Sequence, residues 1–240
     1  MSFLQNLLRP ERREVKEYLD EPFNRVRDIS IEELAGNLAQ MRWLDEVSGG
    51  VNLALQGIER VWRPKDKITA LDVGAGSAAL LIALAKWADK RELKAELVGI
   101  DLNPKVLDVA ARAIDGYPIR LAIGDALALP FADDSFDVSL ATLMMHHFAP
   151  EAAVRLLQEM YRVSRNGIII VDLTRSRLLQ VILWVLTRVG SRNRITRHDG
   201  PVSALRAYTI KEAQDLAWAA GLEAEIRHRL FRMVITCRKR

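Results

Sequence analysis

Apolar residues recur at helical spacing through Leu34, Leu38, Met41 and Trp43-Leu44, and again through Val51, Leu53, Leu55, Ile58, Val61 and Trp62. Two helices follow from this pattern, broken at Ser48-Gly49-Gly50 and stopped by Pro64. Residues 1–66 therefore read as an N-terminal helical cap. From residue 67 the period changes repeatedly. Short apolar runs at 68–73, 95–100, 119–123, 136–141 and 167–171 read as strands, and helical spacing separates them at 77–88, 106–114 and 151–163. Ile168-Ile169-Ile170-Val171 is apolar on both faces, as a strand of a covered parallel sheet must be. Strand–helix alternation of this kind implies a right-handed, doubly wound α/β fold with helices on both faces of the sheet.

The end of the chain differs. A helix at 210–220 leads to Gly221, and two strands at about 222–228 and 230–237 follow too tightly for a helix between them, so they pair antiparallel. The expected organisation is the cap, then one α/β domain over 67–240 with an insertion at 173–208. Residues 174–200 are long for a βα connection. Their apolar stretch around Trp184 could be a lid, a dimer surface or a membrane-leaning helix; packing against the amino-terminal helices is the favoured expectation.

Composition narrows the class. Half of the 240 residues are apolar and 28% are charged, which excludes disorder of the whole chain. The net charge of +4 comes without a basic block interleaved with aromatics, so no nucleic-acid partner is expected. The single cysteine, Cys237, makes neither an internal disulfide nor a zinc cluster, and no metal is expected; within a strand it reads as a buried small hydrophobe. The apolar start at Phe3, Leu4, Leu7 and Leu8 is too short for a leader and runs into Arg9-Pro10-Glu11-Arg12-Arg13. The stretch 178–189 is shorter than the roughly 20 residues that span a bilayer. A cytoplasmic monomer or homodimer is expected, with peripheral membrane contact left open.

The chemistry gathers at strand ends. The first strand closes in Asp72-Val73-Gly74-Ala75-Gly76, where glycines permit a tight turn and a helix starting near Ser77 would aim free N–H groups at a ligand. Gly74-x-Gly76-x-x-Ala79 also satisfies the dinucleotide pattern, and a plain tight turn satisfies it too. The second strand ends in Asp101, suited to accept from ribose hydroxyls or, with Asn103, to cap the next helix. The third ends in Gly124-Asp125-Ala126, where Asp125 could accept from an adenine amino group while Leu102, Ala126 and Leu127 sandwich the base. Thr142 and Leu143, after the fourth strand, fall where they would line the rest of such a ligand. Three acids at three successive strand ends face one crevice.

These pieces, with Leu129-Pro130-Phe131, Asp134-Ser135-Phe136-Asp137 and His146-His147, resemble the class I S-adenosylmethionine-dependent methyltransferases over about residues 68–172. The match is to the small-molecule group that includes the ubiquinone and menaquinone C-methyltransferases. The resemblance implies a Rossmann-like seven-stranded mixed sheet with an antiparallel terminal strand. It also implies S-adenosylmethionine as cofactor, held by Asp72, Gly74, Ala75, Gly76, Asp101, Leu102, Asp125, Ala126, Thr142 and Leu143. Two departures stand out: Ala78 replaces a frequent third glycine, and Ser164-Arg165-Asn166-Gly167 replaces Lys-Pro-Gly-Gly. Residues 171–177 and Arg197-His198-Asp199-Gly200-Pro201 resemble methyltransferases found beside bacterial type III polyketide synthases, which implies a hydrophobic aromatic, polyketide-like or quinone-like acceptor methylated on oxygen or carbon.

Methyl transfer from a sulfonium is an in-line displacement that needs alignment and water exclusion, and a base only where the acceptor loses a proton. His146 and Asp172 are the candidate catalytic groups, although Asp172 could instead anchor Arg175 or Arg177. Trp43 (with Arg42), His147, Arg197 and His198 are candidates for the acceptor wall, the last two in a loop over the pocket or in a surface ion-pair cluster. A nicotinamide-dependent oxidoreductase and a non-catalytic cofactor-binding protein of the same fold are the alternatives.

Overall fold

The computed structural model describes residues 10–13, 15–20 and 29–239; the apolar start from Phe3 to Leu8 lies outside them. Helix α1 (Ile31–Val47) is capped by Ser30, whose hydroxyl accepts from Glu33 N, and α2 (Gly50–Val61) follows after the expected break. Then come β1 (Lys67–Val73), α3 (Ala79–Asp89), β2 (Lys94–Asp101), α4 (Pro104–Ala111), β3 (Ile119–Ile123) and β4 (Phe136–Thr142). A 3₁₀ turn at Met145–His147 precedes α5 (Pro150–Arg162) and β5 (Ser164–Leu173). The chain ends in α6 (Arg177–Gly190), α7 (Arg194–Arg206), α8 (Ile210–Ala219), β6 (Ala224–Arg229) and β7 (Arg232–Arg238).

The strands form one seven-stranded sheet in the order β3-β2-β1-β4-β5-β7-β6. Pairings are parallel from β3 to β5, and β7 runs antiparallel to both β5 and β6. Apolar side chains from the two faces build two separate cores. One joins the sheet to α5 and α8 through residues such as Leu157, Met160 and Leu216; the other joins it to α2 and α3 through Ile58, Leu81 and Leu84. A third cluster sets Leu34 and Leu38 of α1 against Val106 of α4 and Ile195 of α7. It roofs the carboxyl ends of the strands, so the amino-terminal helices and the insertion meet over one edge of the sheet.

The insertion corrects one expectation. Residues 177–206 form two helices, and only Leu179 and Thr187 of α6 are buried. Val181, Trp184, Val185, Leu186 and Val189 face outward, so this apolar stretch does not pack into the core, while α7 does so through Ile195, Ala204 and Leu205. Among the described residues no helix is long and apolar enough to cross a membrane.

Candidate functional site

Strand order reverses between β1 and β4, whose following helices lie on opposite faces of the sheet. That divergence opens a crevice past the carboxyl ends of the strands. A cavity of about 810 Å³ occupies it, within the range of small-molecule sites. Gly74, Ala75 and Gly76 form its floor; Asp101 and Leu102 after β2, and Asp125 and Ala126 after β3, form one wall; Thr142 and Leu143 form the opposite one. Leu127 is turned away into the core beside α5, its N–H bound to Asp125 Oδ1 at 2.8 Å.

Local chemistry explains the floor. Gly74 sits at φ +74°, and a Cβ there would collide with Met144 Sδ. Ala78 carries the third left-handed position at φ +57°, at the strain cost that a glycine would avoid. Four of the loop amides are taken up within the protein, while Ser77, Ala79 and Leu80, at the start of α3, line the cavity. Gly74 N and Ala75 N both donate to Ile100 O, at 2.9 and 2.8 Å, and Ala78 N donates to Ala75 O. Gly76 N donates to Asp101 Oδ2 at 3.2 Å. Helix α3 starts two residues later than Ser77, because the turn first ties itself to β2.

Carboxylates crowd this turn. Asp72, expected among the cofactor residues, is buried beneath the turn and does not line the cavity, and its Oδ1 makes no hydrogen bond. Burial, then the neighbouring Asp101 and Asp45, push its carboxyl up to about 8. Burial also raises Asp101 against the backbone donors Asn103 N and Gly76 N, and raises Asp45 against Arg232, which stands 2.8 Å away. Asn103, rather than Asp101, caps α4 by accepting from Lys105 N.

The acceptor-side expectations fare differently. His147 reaches the cavity wall, but His146 and Asp172 lie behind it, fully buried. Asp172 holds His146 through a 2.6 Å contact to Nδ1 and a 3.0 Å bond from His146 N. It anchors neither arginine: Arg175 bonds Glu212 at 2.7 Å. Burial works against charge on His146, yet Asp172 and Glu17 together push it up to about 10. Trp43 is 61% exposed and away from the cavity, whereas its neighbour Arg42 lines it. Arg197 and His198 belong to α7, not to a loop. Arg197 donates to Ser191 O and Arg188 O at the end of α6, and His198 pairs with Asp199 at 2.7 Å. Neither lines the cavity.

Several wall residues carried no expectation: Asp20, Asp45, Met144, Phe148 and Arg206. Asp45 had a legible signal, since it continues the stripe Leu34, Leu38, Met41 at helical spacing where an apolar residue belongs. Asp20 and Arg206 had none, being brought together from opposite ends of the chain. Asp137, within the motif that carried the resemblance, is a frame residue: it accepts from Thr69 N at 2.9 Å and pairs with Arg165 at 2.9 Å.

Residues 70–167 match the family model described as a methyltransferase domain. A demethylmenaquinone methyltransferase from Roseiflexus castenholzii is 32% identical over 141 residues, 54% of this chain and 57% of that protein. One from Lactobacillus johnsonii is 36% identical over 124 residues, 47% of this chain and 49% of that protein. The chain thus spans about half the length of the curated relatives it matches. A solved SAM-dependent methyltransferase from Aquifex aeolicus shares the fold, with a TM-score of 0.61 and 17% identity over 84% of this chain and 97% of that one.

Proposed function

We propose that this chain is a class I S-adenosylmethionine-dependent methyltransferase and that it transfers a methyl group to a small hydrophobic acceptor of aromatic, polyketide or quinone type. The observation that carries the reading is the charge and wiring of the strand-end crevice. The amides of Gly74, Ala75, Gly76 and Ala78 are already bonded within the protein, and Asp45, Asp72 and Asp101 gather around the turn. A pyrophosphate wants a positive terminus, and the acids crowded beside this turn oppose that, so the crevice suits a dinucleotide poorly. S-adenosylmethionine carries a sulfonium and an ammonium, which the acids attract, and the buried unbonded Asp72 Oδ1 fits a ligand that brings positive charge to the turn.

In this reading Asp101 accepts from the ribose, Asp125 from the adenine amino group, and Leu102 and Ala126 cover the base. Thr142 and Leu143 border the methionine end, with Arg42 and Lys16 at the rim as partners for its carboxylate. The bound cofactor supplies an electrophilic methyl group. The protein's part is to align an acceptor with it and keep water out. Leu19, Leu38, Met41, Met144 and Phe148 give the remaining wall an apolar lining, which favours a hydrophobic acceptor. His147, not His146, is the member of the pair that stands toward that acceptor.

Calorimetry with S-adenosylmethionine and with nicotinamide dinucleotides tests the cofactor. The methyl donor should bind, and Asp101→Ala should weaken it by about 1–3 kcal/mol through a lost charge-assisted hydrogen-bonded pair. Binding of a dinucleotide alone would overturn the reading. A labelled-methyl screen against phenolic lipids, alkylpyrones and quinone precursors tests the acceptor. Donor binding with no transfer to any of them would favour the non-catalytic alternative.

A further inference from the structure

Residues 10–13 and 15–20 cross the rim of the pocket as a strap. Arg12 fastens it, donating to the carbonyls of His146, Phe148 and Arg206, and Arg13 N donates to Leu205 O. The strap carries Glu17 and Asp20 onto the His146-His147 turn. Both imidazoles are then oriented by a carboxylate on the same ring nitrogen: His146 Nδ1 lies 2.6 Å from Asp172 Oδ1, and His147 Nδ1 lies 2.5 Å from Asp20 Oδ1. With Nδ1 facing a carboxylate in each case, Nε2 is the ligand atom both rings offer, and on His146 an ion binding there takes the place of the Nε2 proton. Both face Glu17, His146 Nε2 at 3.5 Å from Oε1 and His147 Nε2 at 3.8 Å from Oε2.

We infer that Glu17, His146 and His147 form a binding site for one divalent transition-metal ion at the edge of the pocket. One ligand atom from each lies within 4.8 Å of the others. An ion with bonds near 2.0–2.1 Å sets tetrahedral ligands about 3.3 Å apart, so the 3.5 and 3.8 Å contacts to Glu17 need a small contraction and the remaining pair, within 4.8 Å, a larger one. Glu17 is 3% exposed and its Oε1 makes no hydrogen bond, a costly state for a carboxylate that an ion would relieve. Charge agrees. Glu17, Asp20 and Asp172 face Arg206 as the only guanidinium paired with their carboxylates among the described residues. Once the ion has taken the place of the His146 Nε2 proton, three acids against one arginine leave two negative charges, which one divalent ion balances.

Carboxylates behind both histidines fix the tautomer and strengthen the ligands, as at established metal sites. Two imidazoles and one carboxylate select a first-row transition ion over magnesium or calcium, which prefer oxygen. Three protein ligands leave coordination open, and His147 and Asp20 belong to the pocket wall. The open side suits a phenolic or enolic oxygen of the acceptor. That last point rests on the proposed methyl transfer; binding of the ion does not.

The test titrates the chelator-stripped full chain with Zn²⁺ and with Mg²⁺ by calorimetry, alongside thermal melting and the visible spectrum of added Co²⁺. One equivalent of Zn²⁺ should bind at micromolar Kd or tighter and raise the Tm, Mg²⁺ should not compete, and Co²⁺ should give a protein-bound absorption band. Glu17→Gln, close in shape, and His147→Ala should each weaken Zn²⁺ at least tenfold. His198→Ala and His228→Ala should leave it unchanged. Absence of stoichiometric Zn²⁺ binding, or binding that survives Glu17→Gln and fails in His198→Ala or His228→Ala, would show that the cluster is an ion-pair network only. None of these readouts needs methyl transfer, so failure of the site and failure of the proposed activity are separable.

Discussion

Replacing Asp72 with asparagine should make the ligand-free protein more stable at alkaline pH while weakening its hold on S-adenosylmethionine. The side chain is 1% exposed, its Oδ1 is unbonded, and burial together with Asp101 and Asp45 lifts its carboxyl from 3.8 to about 8. A carboxyl raised on folding contributes stability that is fully present below its unfolded value and is lost as pH rises through the folded one. The window therefore runs from about pH 4 to pH 8. At 1.36 kcal/mol per pH unit, that span corresponds to a loss on the order of 5 kcal/mol. The carboxamide of the variant never ionises, so urea unfolding between pH 5 and 8.5 should show the wild type falling away from Asp72→Asn as pH rises. The comparison must be a difference between the two proteins, because His146 and Asp199 are also raised, to about 10 and about 6, and tilt both curves the same way. Ligand calorimetry completes the test: a cationic donor relieves the ionised Asp72, so the affinity gap between the two proteins should widen from pH 6 to pH 8. Parallel stability curves would refute the claim that this carboxylate is held at an energetic cost.

Two further substitutions separate frame from site. His146→Ala leaves Asp172 buried without its partner, and should cost about 3–5 kcal/mol in urea unfolding; an unchanged midpoint would mean that the pair contributes nothing to the frame. Asp137→Ala removes the acceptor of Thr69 N and the partner of Arg165, and should destabilise by about 1–3 kcal/mol with S-adenosylmethionine affinity unchanged in calorimetry; a selective loss of affinity would move Asp137 into the site.

The middle of the sheet was readable because β1, β4 and β5 bury both faces, and such runs leave a clear apolar signature. The cofactor side of the site was readable for a related reason. Gly74, Asp101, Asp125 and Thr142 follow strands directly, so parallel topology alone delivers them to one edge. The acceptor side was not. Glu17 and His146 are 129 residues apart in the chain, and no local period links them; only the strap, tied by Arg12 to three carbonyls, joins them. The histidine pair was legible as a pair but not by role. Which of two adjacent side chains faces the pocket depends on a 3₁₀ turn that sequence periodicity does not resolve. Helix α6 misled for a physical reason too, since an apolar stretch states that burial is favourable without stating where.

The residues behind the resemblance divide into two physical kinds. Leu129, Phe131, Phe136 and Asp137 pack or staple the frame, Phe131 meeting Phe136 edge-on at 4.9 Å. Asp101 and Asp125 face the cavity. Both kinds follow from one constraint, that β1 and β4 be held side by side while their helices part, because that parting makes the crevice. The acceptor wall obeys no such constraint. It is assembled from α1, α7, the strap and the 3₁₀ turn that Met144 and Phe148 flank, with α1, α7 and the strap joined to the sheet edge by one small apolar cluster and by ionic contacts. Changing a residue there should alter what the pocket admits without disturbing the strand ends proposed to hold the donor. The selectivity of this protein for its acceptor should therefore reside in Asp20, Leu38, Met41, Phe148 and Arg206, and substitutions among them should change acceptor preference in the labelled-methyl screen more than donor affinity.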